Sequence, residues 1–212
     1  MMKQSDIHVR VLFQGDSVTD CGRSRSDDTD LGSGYAMMAA ASFAAQYPQR
    51  PVEFLNRGIG GDRVRDLRAR WEKDCLALRP DCVSILIGIN DTWRRYDSND
   101  STTVEAFVAT YRAILDAATA QGIRIIICEP FLLSVSPQQM AWREDLDPKI
   151  AAVRQLAQEY HAWFIPLDGV FAQAAAQREP RFWAPDGVHP SPAGHALIAR
   201  AWLKTFEQML LQ

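Results

Sequence analysis

The chain has 212 residues, 47% of them hydrophobic and 23% charged, which are the proportions of a soluble globular protein. This length suffices for one well-buried domain and is short for two, so we expect a single domain over residues 1–212. The formal net charge of −3 predicts neither a nucleic acid nor a membrane partner, because both attract basic surfaces. The four cysteines form no C-x-x-C pair, and the opening "MMKQSDIHVR" lacks the apolar core of a signal peptide. We therefore expect reduced thiols and a cytoplasmic location.

Five apolar runs rich in β-branched residues are predicted as strands. In chain order they are "HVRVLF", "PVEFLN", "CVSILIGI", "IRIIICEP" and "AWFIPL". Helical periodicity lies between them, as in "RVRDLRARWEKDCLALRP" (63–80) and in "VEAFVATYRAILDAATAQG" (104–122), where Gly122 is a plausible end signal. Continuously apolar strands that alternate with helices predict a five-stranded parallel sheet covered on both faces, a three-layer α/β/α fold.

Polar and small residues follow the predicted strands. Ligand sites in open parallel sheets lie beyond the carboxyl ends of the strands, so these segments are the first candidates for a functional site. They are "GDSVTD", "NRGIGGDR" and "GINDTWRRYD", and a fourth segment, "WAPDGVHPSPAGH", precedes the last helix. Each carries residue types that acyl-transfer chemistry uses.

Ser17 in "GDSVTD" is the candidate nucleophile, provided that a histidine can remove its proton. Three of the four histidines are excluded by position, because they precede strands or fall in the final helix: His8, His161 and His195. His189 remains, and the turn "DGVH" can hold Asp186 against the imidazole Nδ1–H while Nε2 faces the serine. We predict a triad of Ser17, His189 and Asp186, against the simpler interpretation that His189 makes only a structural hydrogen bond.

An oxyanion hole is predicted from the same strand ends, because acyl transfer needs donors where negative charge develops. The donors are the Ser17 amide, the Gly61 amide, which no Cβ shields, and the side-chain amide of Asn90. Each of these residues is weak evidence by itself, because glycines usually form turns and Asn-Asp pairs usually end strands. Their occurrence at successive strand ends makes the combined interpretation much stronger.

The sequence does not match two other functional motifs. The nucleophile elbow G-x-S-x-G is absent because Thr19 stands where the second glycine belongs. The dinucleotide fingerprint fails in "GIGGDR", because Arg63 replaces its last glycine and the segment follows the second strand. The sequence predicts a metal-independent reaction without a cofactor.

Taken together, the four blocks resemble the SGNH hydrolases, the GDSL-type esterases and lipases, in which each block contributes one of Ser, Gly, Asn and His. The matching segments are "GDSVTD", "NRGIGGD", "GIND" and "DGVH". Val18 occupies the usual leucine position, which keeps that side chain apolar. The resemblance spans nearly the whole chain and implies the flavodoxin-like fold, with Ser17, Gly61, Asn90, Asp186 and His189 in the family's catalytic positions.

A narrower resemblance is to the intracellular acetylxylan esterases of this superfamily. It rests on "GDSVTDCGRSRSD", "RDLRARWEKD", "GINDTWRRYD" and "HPSPAGH". It implies removal of acetyl groups from xylan fragments and assembly as a homo-oligomer, to which the apolar run "AWLKTFEQMLLQ" could contribute a contact. Trp183 stands three residues before Asp186, with Pro185 between them, and this arrangement differs from the family's.

The segment after Asn90 suits a sugar better than a long acyl chain. It offers Trp93 and Tyr96 as stacking surfaces beside Arg94, and we expect these three residues to bind substrate together with Asp16 and Trp183. A solvated loop with Trp93 packed inward is the alternative. The predicted function is a serine esterase that removes acetyl groups from xylo-oligosaccharides or related carbohydrates. A lysophospholipase or thioesterase, and a binding module without turnover, remain open as alternatives.

Overall fold

The computed structural model describes residues 9–211, which build a sheet of five parallel strands between two layers of helices. The strands are β1 (Val9–Gly15), β2 (Val52–Asn56), β3 (Cys82–Leu86), β4 (Arg124–Cys128) and β5 (Trp163–Ile165). Their spatial order is β2-β1-β3-β4-β5, and every neighbouring pair is parallel. The predicted strands and the predicted fold class are confirmed.

Ten α-helices connect the strands within the described residues. They are α1 (Ser17–Asp20), α2 (Tyr35–Gln46), α3 (Val64–Ala69), α4 (Trp71–Asp74), α5 (Ile89–Asp97), α6 (Val104–Ala120), α7 (Pro137–Glu159), α8 (Leu167–Ala175), α9 (Pro180–Trp183) and α10 (Pro192–Leu210). No helix in this part of the chain is long and apolar enough to cross a membrane.

The helical periodicity over 63–80 corresponds to short helices and not to one continuous helix. The segment forms α3, α4 and a 3-10 turn (Leu76–Leu78), with a bend at Arg70. The Arg70 guanidinium donates to Asp62 Oδ2 at 2.7 Å and to Gln14 Oε1 at 2.9 Å. These tertiary contacts occur at the bend. Helical periodicity in the sequence does not predict them.

The alternation of side chains along the strands produces two cores, one on each face of the sheet. On one face, Val11 and Phe13 pack against α2, α8 and α10, and the Phe13 ring lies 4.9 Å from that of Trp202. On the other face, Leu12 packs against α3, α4, α6 and α7. Trp202 and Phe206, two apolar residues of the C-terminal run, are therefore buried in the core of the chain itself.

The chain runs from β1 to β2 on one side and then returns to β3 on the other side of β1, so the sheet has a switch point between β1 and β3. Loops on either side of such a switch point diverge and leave a crevice at the carboxyl ends of the strands. Ser17 follows β1, and Asn90 lies in the first turn of the helix that follows β3, so both flank this crevice. His161 lies in the turn before β5, at the opposite end, and His8 is outside the described residues.

Candidate active site

Ser17 is the first residue of α1, directly after β1 ends at Gly15. Asp16 caps this four-residue helix, because its Oδ1 accepts a hydrogen bond from the Val18 amide at 3.0 Å. The neighbours Asp16 and Val18 are buried, whereas Ser17 is half-buried. The turn therefore anchors the residues on both sides of the serine and leaves its hydroxyl at the crevice.

His189 lies within hydrogen-bond reach of Ser17. Its Nε2 is 2.9 Å from Ser17 Oγ, and its Nδ1 is 2.6 Å from Asp186 Oδ2. The other carboxylate oxygen, Oδ1, accepts hydrogen bonds from the amides of His189 at 2.7 Å and Val188 at 3.0 Å. The structure thus brings the three predicted residues into a continuous chain of hydrogen bonds, with the histidine in the middle.

The pKa of each member follows from these contacts. The hydrogen bond that His189 donates to Asp186, with a smaller contribution from the buried carboxyl of Asp16, raises the pKa of His189 above its usual 6.5. Partial burial acts to raise the pKa of Asp186, but the hydrogen bonds from His189 and Val188 outweigh it and lower that pKa to about 2. Asp186 is therefore ionised at neutral pH and favours the protonated form of the His189 imidazole.

The predicted oxyanion donors lie in the segments that follow β1, β2 and β3. In the described part of the chain, neither the Ser17 amide nor the Gly61 amide has a protein acceptor, so both are free to bind an oxyanion. Gly61 has a φ of +88°, a backbone conformation that disfavours any residue with a Cβ. One N–H of the Asn90 amide donates to the Asp62 carbonyl at 3.0 Å, which leaves its second N–H available.

Asp91 has a role in this geometry that the sequence motif did not reveal. Its carboxylate is completely buried in α5 and accepts a hydrogen bond from the Val64 amide at 3.0 Å, at the start of α3. Burial raises the pKa of Asp91 to about 6. With the Asn90 contact, this bond ties the loop that carries Gly61 to α5 at two points.

Gln139 is a second residue that sequence reasoning missed. Its Nε2 donates to the Asp186 carbonyl at 2.6 Å and its Oε1 accepts from the Val135 amide at 3.0 Å. Gln139 is buried in the first turn of α7 and holds the acid-bearing loop in place. No local pattern marks this residue, because it lies 47 positions before Asp186 along the chain.

Of the residues expected to bind substrate, Trp93 packs against the triad. Its ring centroid is 5.9 Å from that of His189 and 5.4 Å from that of Trp142. The Arg94 guanidinium lies 5.7 Å from the Trp93 ring centroid and pairs with Asp97. Trp93 is half-buried, so it both packs inward and presents part of its ring beside the catalytic histidine.

The other three expected substrate residues have partners within the protein. Asp16 is 1% exposed as the cap of α1, and burial raises its pKa to about 7. Tyr96 stacks on Trp142 at 5.5 Å and donates its hydroxyl to the Ala141 carbonyl at 3.0 Å. Trp183 donates its indole N–H to the Arg178 carbonyl at 3.2 Å. These contacts give the three residues structural roles in the chain.

His195 and the cysteines lie outside this arrangement. His195 Nδ1 accepts from the Tyr35 amide at 3.1 Å, and burial lowers the pKa of His195 to about 4. All four cysteines are free thiols, three of them buried. No group of three or more His, Cys, Asp or Glu side chains within residues 9–211 is placed to hold a metal ion.

Comparison with known proteins identifies the family. Residues 13–197 match the model of the GDSL-like Lipase/Acylhydrolase family. The chain belongs to this family. An acetylxylan esterase of Geobacillus stearothermophilus is 37% identical over 203 residues, which cover 92% of each chain. The chain is accordingly a carboxylic ester hydrolase.

Solved structures agree with this membership. A crystal structure of an acetylxylan esterase from Geobacillus stearothermophilus has a TM-score of 0.87, 37% identity and coverage of 93% of each chain. A protein of Parabacteroides merdae that is classed with the GDSL-like lipases has a TM-score of 0.90 and 34% identity, covering 96% of this chain and 98% of its own.

Three further structures of the Geobacillus esterase are catalytic mutants, in which a serine, a histidine or an aspartate is replaced by alanine. The mutated aspartate of that esterase precedes its mutated histidine by three positions. Asp186 precedes His189 by the same interval here. The residue types and the spacing both agree with the hydrogen-bonded chain described above.

The Asp186→Asn substitution is expected to lower the pKa of His189. It removes the negative charge that favours the imidazolium, so the histidine should titrate above pH 6.5 in the unmodified protein and at lower pH in the variant. NMR titration of the ring protons, assigned with a His189→Gln variant, measures both values. A His189 that titrates at the same pH in both proteins would contradict the electrostatic coupling.

Proposed function

We propose that this protein is a metal-independent serine esterase that removes acetyl groups from xylo-oligosaccharides, with Ser17, His189 and Asp186 as its catalytic triad. The observation that carries the proposal is the hydrogen bond of 2.9 Å between Ser17 Oγ and His189 Nε2. A second hydrogen bond, of 2.6 Å, joins His189 Nδ1 to Asp186 Oδ2. A serine, a base and an orienting acid in this geometry are the requirements for nucleophilic acyl transfer. We propose that the whole chain acts as one domain.

In the first half of the reaction Ser17 Oγ attacks the ester carbonyl while its proton passes to His189 Nε2. The carbonyl oxygen becomes an oxyanion, which accepts hydrogen bonds from the Ser17 and Gly61 amides and the Asn90 side chain. The intermediate then collapses: the bond from the acetyl carbon to the sugar oxygen breaks, and His189 returns the proton to that oxygen. The sugar leaves with a free hydroxyl, and Ser17 keeps the acetyl group.

In the second half a water molecule attacks the acetyl-serine. His189 accepts one proton from the water, the same donors bind the oxyanion, and the bond to Ser17 Oγ breaks as that oxygen takes the proton back. Acetate leaves and the resting state is restored. Asp186 remains ionised throughout, because its low pKa lets it stabilise the imidazolium without taking the proton.

The substrate class is supported by the relatives and by the rim of the crevice. The Geobacillus enzyme is described as an acetyl-xylooligosaccharide esterase. In this chain the half-buried Trp93 lies beside His189, with the Arg94 guanidinium next to its ring. An aromatic face beside a hydrogen-bond donor suits a sugar, which has apolar faces and a polar rim. We assign substrate contact first to Trp93 and Arg94.

Two other functions are less well supported. A lysophospholipase or thioesterase needs an apolar surface for its acyl chain, whereas the rim after Asn90 carries Arg94, Arg95 and Asp97. A binding module without turnover has no need of a nucleophile joined to a base and an acid. The acyl-chain and labelling experiments below distinguish these functions from the esterase.

We also propose that the protein works in the cytoplasm as a homo-oligomer. The free thiols are consistent with a reducing compartment. The oligomeric state rests on the resemblance to the intracellular acetylxylan esterases. Trp202, Phe206 and Met209 of the apolar C-terminal run are buried within the chain, whereas Leu211 is 81% exposed. Light scattering should give a mass above the 23.8 kDa of one chain, and a monomer would contradict the proposal.

Replacing Ser17 with alanine should abolish esterase activity without unfolding the protein. Removal of a triad nucleophile lowers kcat by roughly 10⁶-fold in a well-studied serine protease, and a comparable loss on aryl acetate is expected here. Ser42→Ala, an exposed serine on α2, is the matched control and should behave as the unmodified protein. A serine-directed phosphonate should label the unmodified protein stoichiometrically at Ser17. Absence of labelling would favour the binding module.

Catalytic efficiency on aryl esters should fall as the acyl chain lengthens from acetyl to butyryl and become negligible at octanoyl. The polar rim leaves added methylenes in water, so each forgoes about 0.8 kcal/mol of hydrophobic stabilisation, and misplacement of the carbonyl costs more. Measurement of kcat/KM across the series tests this. Equal or rising efficiency toward octanoyl would overturn the carbohydrate assignment and favour a lipid substrate.

A further inference from the structure

Asp20 ends the short helix that begins with Ser17, and its carboxylate reaches the loop that carries Gly61. Its Oδ2 accepts a hydrogen bond from the Gly60 amide at 3.0 Å and another from the Arg25 guanidinium at 3.2 Å. The Asp20 side chain is only 13% exposed. The nucleophile and the loop of the oxyanion hole are therefore joined through one carboxylate, three residues after Ser17.

The loop is packed directly against the backbone of α1 at this point. A Cβ placed on Gly58 would lie 2.3 Å from the Asp20 amide nitrogen, so the two segments touch with no side chain between them. Asn56 Nδ2 donates to the Thr19 carbonyl at 2.7 Å and reinforces the same contact. The loop thus rests on the helix of the nucleophile, and Asp20 binds the amide of the residue before Gly61.

We propose that Asp20 is a positioning residue that aims the Gly61 amide at the oxyanion. Its bond to the Gly60 amide holds the residue that precedes Gly61, and Gly61 itself has the left-handed conformation that turns the chain at this point. This inference rests on the oxyanion role proposed for Gly61. The inference adds that Asp20, a residue of the same helix as Ser17, fixes the distance between the Ser17 nucleophile and the Gly61 donor.

Other contacts also hold the loop, among them the Ile59 amide, which donates to the Gly15 carbonyl at 3.0 Å. Asn90 binds the Asp62 carbonyl and Asp91 binds the Val64 amide, both from α5. These bonds hold the far end of the loop, after Gly61, whereas Asp20 holds the near end. Loss of the Asp20 bond should therefore disturb the donor without releasing the loop or unfolding the chain.

The test compares Asp20→Ala with Asp20→Asn. Alanine removes the acceptor, whereas the asparagine carbonyl can still accept from Gly60. Loss of a whole oxyanion donor costs about 10²- to 10³-fold in kcat, so a misaimed donor in Asp20→Ala should cost about 10- to 100-fold, with KM for aryl acetate changed by less than about twofold. Asp20→Asn should recover most of kcat. Equal loss in both variants would overturn the proposal.

Two control variants separate positioning from other effects. Arg25→Ala removes the ion pair but leaves the Gly60 bond, so its kcat should stay near that of the unmodified protein. Asp81→Ala removes a similar bond between a carboxylate and a backbone amide, that of Arg10, at the opposite end of the sheet. It should alter unfolding by urea without altering kcat. An Arg25→Ala variant as impaired as Asp20→Ala would show that the charge, not the Gly60 bond, matters.

A second readout does not depend on turnover. Selective ¹⁵N-glycine labelling gives amide signals from only 12 glycines, which can be assigned by substitution. The Gly60 and Gly61 signals should shift in Asp20→Ala and return toward their original positions in Asp20→Asn, while the Gly169 signal on α8 stays fixed. Unmoved Gly60 and Gly61 signals in Asp20→Ala would overturn the inference. An unmodified protein without esterase activity or phosphonate labelling would instead overturn the proposed function.

Discussion

The hydrogen bond between Ser17 and His189 joins residues 172 positions apart, and the geometry of the candidate active site depends on it. Neither residue belongs to a long element: Ser17 opens a helix of four residues, and His189 lies in a loop before α10. The bond can form only if both segments are held to within a fraction of an ångström. Much of the polar structure around the crevice serves this requirement.

Buried side chains hold each segment by its backbone. The Asp16 cap fixes the turn at Ser17, and Gln139 fixes the Asp186 carbonyl in the loop that carries acid and base. Asp91 fixes the start of α3, just beyond the Gly61 loop. Each of these side chains bonds to main-chain atoms, which are present whatever the local side chain is. The proposed triad and the proposed oxyanion donors are therefore held by side chains to which the proposed reaction assigns no chemical step.

The carboxylates of this site differ in environment and consequently in pKa. Asp16 and Asp91 are buried, which raises their pKa values to about 7 and about 6. The Asp186 side chain is 48% exposed, yet its pKa is lowered to about 2 by hydrogen bonds from His189 and Val188. Hydrogen bonding to the charged form outweighs burial at Asp186, and burial prevails at the other two. Of these three carboxylates, Asp186 has the lowest pKa, which keeps it ionised near neutral pH.

The sequence by itself determined the strands, the parallel three-layer fold and the residues brought together at the crevice, because these depend on local patterns. Continuously apolar runs mark buried strands, and the motifs "GDSVTD", "GIND" and "DGVH" each occupy a few neighbouring positions. Only the tertiary structure decided the bend at Arg70, the roles of Gln139 and Asp20, and the packing of Tyr96 on Trp142. Those contacts join residues far apart in the chain, and no periodicity or spacing records which distant partner a side chain will meet.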